Sequence, residues 1–291
     1  MQQIEQGIFY EDAYLGVTIG ALVFPYGVIL IDAPLRSEDA RSFRATINNY
    51  RGGPNRLLIS LDSHPDRTLG TRAFECTVAA HQKAAHVFRN RPTIFKGLNV
   101  ETGAIWETFS DAIGMRWASP DITFSDRMYF HWGGPQVRLE SRPGANQGSI
   151  WVVIPEQKTV FVGDTSTPNQ PPFLMQADIP AWLESLDVLL HQYKGYQIVS
   201  GRAGLVKPED LKTTIKFLKD VSNAIEGFGA KNAPPEVTGD LANKLISRFP
   251  ATGKQRELYL TRLRYGLFQY YARRFHPVQA LGQPEIDEEE Q

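Results

Sequence analysis

The sequence predicts a layered α/β fold, and three observations carry that expectation. Short apolar runs bounded by turn residues dominate the first part of the chain, segments of helical spacing are interspersed among them, and the last third is helical in its periodicity. No internal repeat or linker divides the 291 residues, a length that can bury a substantial core.

Taken in order, residues 17–24 and 28–31 are expected to pair as strands around the turn Pro25-Tyr26-Gly27. Gly20, Pro25 and Gly27 also break this most apolar stretch too often for a membrane span. Ser37 is placed to cap a helix in which Ala40, Phe43 and Ile47 recur at helical spacing. Residues 57–61 form a short buried strand, and 78–80 lead into a helix from His81. A longer connection over 106–121 precedes strands near 128–131 and 137–140. Residues 150–154 and 159–162 make a further hairpin around 155–158. Trp182, Leu186, Leu189 and Leu190 share a helical face, followed by a strand at 197–199. Pro208 opens a helix carrying Leu211, Ile215, Leu218 and Ile225. Helices then follow over 241–249 and 257–275, and 286–291 is expected as a solvated acidic tail. This divides the chain into a main domain over 1–230, a helical extension over 231–285 packed on it, and the tail.

Composition narrows the class. Hydrophobic residues make up 42% and charged residues 22%, with a formal net charge of -1. Such balance offers no electrostatic reason for nucleic acid or an anionic membrane as partner. The single cysteine, Cys76, cannot form an intrachain disulfide, and residues 1–11 lack a signal-peptide pattern, so a cytoplasmic location is expected. Cys76 itself is expected as a small core residue.

Chemistry-bearing residues cluster directly after apolar strands, where α/β proteins build sites. They are Asp62-Ser63-His64-Pro65-Asp66-Arg67, then Pro143-Gly144-Ala145-Asn146-Gln147-Gly148-Ser149, then Gly163-Asp164, and finally Ser200-Gly201-Arg202-Ala203-Gly204. In this order, and with Ile29-Leu30-Ile31-Asp32-Ala33-Pro34 upstream, they resemble the metallo-β-lactamase superfamily from about Ile4 to Ile225. The helical end resembles the C-terminal helices of its glyoxalase-like and quinoprotein-relay-like members. The resemblance implies a four-layer αββα sandwich with extra C-terminal helices.

It also implies where metals would sit. The first cluster matches the His-x-His-x-Asp-His signature, with Asp62 at its first position, His64 at the second, Asp66 at the third and Arg67 at the fourth. Ala145 and Arg202 stand at two further histidine positions, and Asp164 keeps the bridging carboxylate. A guanidinium has no lone pair for a cation and stays protonated. Beside a dication it repels, by roughly 4 kcal/mol per pair of unit charges about 4 Å apart at an effective dielectric near 20. A two-metal centre is therefore not expected. Arg67 and Arg202 are instead expected to pair with Asp66 and Asp164, with a protonated His64 balancing the remaining charge.

Three functional expectations follow. One is a non-canonical or non-catalytic protein whose pocket, held by Asp–Arg pairs, takes a small anionic ligand. A second is a hydrolase of ester or thioester bonds with no more than one Zn, Mn or Fe ion on Asp62, His64 and Asp164, and with Asp66 and Asp164 as candidate catalytic carboxylates. The third is a dimeric scaffold or partner subunit, with Tyr265, Phe268, Tyr270 and Tyr271 on the homodimer surface. The loop 165–173 and Trp106, Trp117 and Trp132 are candidates for the pocket rim.

Overall fold

The computed structural model of the chain describes residues 1–91, 94–95 and 101–277. Its centre is a pair of sheets. The first has seven strands in the order β1 (Gln2–Glu5), β2 (Ile8–Glu11), β3 (Ile19–Phe24), β4 (Gly27–Ile31), β5 (Asn55–Ile59), β6 (Thr77–His81) and β7 (Ile122–Phe124). The second holds β8 (Arg127–Phe130), β9 (Val137–Ser141), β10 (Ile150–Ile154), β11 (Thr159–Phe161), β12 (Gln197–Ser200) and β13 (Gly204–Val206), arranged β13-β12-β11-β10-β9-β8. β4 to β7 run parallel, as do β11 and β12, while the remaining pairings are antiparallel.

Strand alternation explains the layers. In β4, Ile29 and Ile31 face the space between the sheets, whereas Val28 and Leu30 face helix α1 (Ser37–Asn48). In β10, Ile150, Val152 and Ile154 face the same inter-sheet core, and Trp151 and Val153 point the other way. Both faces of both strands are thus covered, which is why they are unbroken apolar runs without a polar alternation. Helix α2 (Gln82–Asn90) follows β6 with Ala84, Ala85 and Phe88 buried. The outer face of the second sheet packs on α3 (Ile179–His191), α4 (Pro208–Gly229), α5 (Thr238–Leu245) and α6 (Gly253–Phe275), which share one apolar cluster with it. The architecture is the expected αββα sandwich with additional C-terminal helices. None of the described helices is long and apolar enough to cross a membrane.

Several local expectations are corrected. Residues 1–11 hold a hairpin, β1 and β2; β1 is a short polar edge strand and so carries no apolar signal. Ser37 is already inside α1: Arg36 is the capping residue and makes no side-chain cap bond, while Glu38 and Asp39 supply first-turn negative charge. Cys76 is only partly buried. Tyr270 and Tyr271 are core residues, which removes half of the aromatic surface expected on α6, where Tyr265 and Phe268 are partly exposed. The acidic stretch 286–291 lies outside the described residues.

Candidate functional site

The polar clusters meet where the carboxyl ends of β4, β5, β11 and β12 converge. Three backbone bonds knit this edge together: Gly201 N–H donates to Gly163 O (2.7 Å), Ile150 N–H to Leu61 O (2.9 Å) and Asp32 N–H to Ile59 O (2.9 Å). Asp32 ends β4 in a left-handed conformation (φ 59°), which Asp tolerates better than most side chains, and its Oδ1 accepts from Leu61 N–H (2.8 Å). After β5, Asp62 Oδ1 accepts from His64 N–H (2.7 Å). His64 then caps a short 3-10 turn over Pro65–Arg67 through Asp66 N–H (3.3 Å to Nδ1).

Arg67 occupies the middle of the assembly and is fully buried. Its guanidinium donates to Asp32 (3.1 Å) and Asp164, and its Nε lies 3.3 Å from Asp62. Two glycines make room for it. A Cβ on Gly201 would sit 2.7 Å from Arg67 Nη1, and one on Gly163, whose φ of 56° already favours glycine, 3.1 Å from the same atom. Arg202 completes the network from the β12 end. Its Nε donates to both oxygens of Asp164 (2.9 and 3.0 Å), and its Nη1 to Asp66 (2.8 Å) and Gly16 O (2.9 Å). Asp66 also accepts from Trp106 N–H (2.8 Å), tying the connection after α2 to the site.

Burial and pairing set the protonation states. Burial opposes the charge on Asp164, yet Arg202 and Arg67 hold its carboxyl below the ordinary carboxylate range. Burial pushes Asp32 up to about 7 against the pull of Arg67, and raises Asp62 as well. Burial lowers both guanidiniums, but the carboxylates around them, Asp164 foremost, together outweigh it and raise Arg67 and Arg202. His64 is driven well below its usual value by burial and by Arg202. It is therefore neutral at pH 7, so the expected imidazolium does not balance the site, and Asp32, left out of that count, joins as a fourth carboxylate facing the two guanidiniums.

Above this network lies a cavity of about 350 Å³. Asp62, His64 and Asp164 line its base, together with Ala145 and Asn146 from the second cluster. Its walls are mostly apolar and aromatic, including Phe95, Trp106, Trp117, Phe173, Leu174 and Tyr265. Phe173 closes the loop 165–173 against the site, with its ring 4.3 Å from that of His64 and 4.7 Å from the Arg202 guanidinium. Trp132, by contrast, packs on the inter-sheet core. Two cations on the wall, Arg91 and Arg262, carried no motif signal, since each belongs to a helix or its end far from the clusters in sequence.

The predicted residues thus divide. Asp62, His64 and Asp164 converge on one cavity; Asp66 is fully buried and does not line it. Asp66 pairs with Arg202, while Arg67 takes Asp32, Asp62 and Asp164. Among the described residues, no group of three or more His, Cys, Asp and Glu is arranged to hold a metal ion.

No family profile matches this sequence, and no curated protein is similar to it by sequence alone. Solved structures are similar in fold. A metallo-β-lactamase from Pontibacter korlensis is 18% identical with a TM-score of 0.56, covering 75% of this chain and 97% of its own. A metallo-β-lactamase from Erythrobacter litoralis is 16% identical with a TM-score of 0.53, covering 75% and 95%. The stereoselective inverting sec-alkylsulfatase Pisa1 from Pseudomonas sp. is 13% identical with a TM-score of 0.64; the likeness covers 97% of this chain but only 52% of the sulfatase. The chain has the metallo-β-lactamase fold.

Proposed function

We propose that this protein is a metallo-β-lactamase-fold binding protein in which an arginine–aspartate network replaces the two-metal hydrolase centre, leaving a pocket for a small anionic ligand. One observation supports this above all. Arg67 and Arg202, at two of the fold's metal-ligand positions, lie among the carboxylates that would hold the ions, and Asp62, Asp66 and Asp164 each have a guanidinium nitrogen within 3.3 Å. Both oxygens of Asp164 are already engaged. A second ion would have to displace two buried, permanently charged groups and strand their partners. The side chains present do not suit a pair of metals.

The alternative is a hydrolase with a single metal, and it has one observation in its favour: Asp62, His64 and Asp164 all line the same cavity. Against it, His64 Nδ1 lies 3.1 Å from Arg202 Nη2, and Asp62 Oδ1 is held by His64 N–H. Metal analysis of protein purified without chelator separates the two. The network reading expects well under one metal per chain after incubation with Zn²⁺, Mn²⁺ or Fe²⁺, and a melting temperature indifferent to EDTA. About one bound ion per chain, lost on Asp62→Ala or His64→Ala, overturns it in favour of the hydrolase.

A further inference from the structure

We infer that the cavity takes an amphiphilic monoanion, whose carboxylate or sulfate head meets Arg91 and Arg262 while an apolar body lies along the aromatic wall. The inference deepens the metal-free reading and rests on it. Arg262 is 1% exposed. Its Nε donates to Gly103 O (3.0 Å) and its Nη1 to Gln170 Oε1 and Pro171 O (both 3.0 Å), all neutral acceptors, and its face lies 4.0 Å from the Phe173 ring centroid. Its Nη2 is buried with no acceptor. Arg91 stacks on Trp117 (4.6 Å) and Phe88 (5.3 Å), and its Nη1 is likewise buried without a partner among the described residues. Among the described residues, neither guanidinium reaches a carboxylate at ion-pair distance, although buried charges are normally paired.

Burial lowers both to about 10, so both remain charged at neutral pH. The carboxylates at the cavity base act on them only from beyond ion-pair distance, and Arg67 and Arg202 already hold Asp62 and Asp164. Both guanidiniums line the cavity, so a head group seated there would supply the acceptor they lack once a small side-chain shift exposes the buried nitrogens. A neutral apolar ligand would leave them unsatisfied, and an inorganic anion would leave the aromatic wall uncovered. At about 30 Å³ per water-sized atom, the cavity of about 350 Å³ has room for roughly a dozen such atoms, the size of decanoate.

The test titrates the full chain in EDTA with decanoate, octyl sulfate, decanol, octyltrimethylammonium and inorganic sulfate, by calorimetry and by tryptophan fluorescence, since Trp106 and Trp117 line the cavity. Decanoate and octyl sulfate are expected to bind about tenfold or more tightly than decanol, because a charge-assisted hydrogen bond is gained. Octyltrimethylammonium and inorganic sulfate are expected to be weaker than both. Arg91→Gln, at a partly exposed position, should bring decanoate close to decanol. Arg262→Gln should do the same, and Arg262→Lys should fall between; if the Arg262 variants do not fold, Arg91→Gln decides. Equal affinity for decanol and decanoate, or an anion preference unchanged in Arg91→Gln, overturns the inference and leaves the metal-free network standing. An anion preference seen only after Zn²⁺ is added and lost in EDTA overturns the metal-free reading as well, because the head group would then sit on a metal.

Discussion

Two arginines line the cavity wall and two lie in the network beneath it, and the pairs have opposite surroundings. At the base, Arg67 and Arg202 meet four carboxylates, Asp32, Asp62, Asp66 and Asp164. On the wall, Arg91 and Arg262 stack on aromatic rings, and each keeps a buried N–H without an acceptor among the described residues. The base arginines are ion-paired within the chain and tie the strand ends together, whereas among the described residues the wall arginines reach no carboxylate at ion-pair distance, which is the capacity the proposed ligand would use. Removing a base arginine should damage the fold, and removing a wall arginine should damage binding.

The largest expected effect is at the centre of the base. Arg67→Met strands Asp32 and Asp62 in a buried space and leaves Asp164 to Arg202 alone, and a loss of about 3–5 kcal/mol is expected in urea unfolding, the usual result of breaking a buried ion pair from one side. A loss under 1 kcal/mol would break the comparison, since the base would then be no more structural than the wall. Arg202→Met should follow, with Asp66 left without a guanidinium and Asp164 keeping only Arg67. Replacing both arginines with His would sharpen the contrast, with gain of bound Zn²⁺ as the expected outcome by mass spectrometry.

Next in size is Gly201→Ala. Its Cβ would meet Arg67 Nη1 at 2.7 Å and push the guanidinium off its partners, so a loss of about 1–3 kcal/mol is expected by thermal unfolding.

The pH profile reports on the base alone. Asp164 sits below the ordinary carboxylate range, so its contribution is present above that range and disappears as pH falls. Asp32 runs the other way. Raised to about 7, it binds more protons folded than unfolded across roughly pH 4–7, so stability declines as pH rises through that window. Between pH 5 and 8 this amounts to on the order of 2 kcal/mol. Asp32→Asn should flatten this limb of the profile, measured by unfolding at both pH values; an unchanged slope would place its source elsewhere. The smallest stability effect belongs to the wall: Arg91→Gln should shift unfolding by within about 0.5 kcal/mol while altering anion affinity.

Much of this was legible in the amino-acid order, and the residues show why. Apolar runs such as 150–154 announced strands covered on both faces, and Leu211, Leu218 and Ile225 announced a helix, because burial leaves a period in the sequence. β1 and β7 were not legible, since short edge strands bury too little to leave one. At the site, Asp62, His64, Asp164 and Arg202 stood out as polar residues following strands. Asp32 was visible only as part of a strand-end motif, and nothing at that position announced its pairing with Arg67.

Local pattern in the chain was enough for the apolar strands, the interspersed helices and the helical end, because burial leaves a period, and the resemblance to the metallo-β-lactamase superfamily implied the sandwich. Only the tertiary structure decided which carboxylate each arginine holds and that His64 is neutral, since those depend on distances between strand ends far apart in the chain. It alone also brought Arg91 and Arg262 to the same cavity wall: hydrogen-bond partners are chosen in space, and a buried nitrogen without one has no signature in sequence.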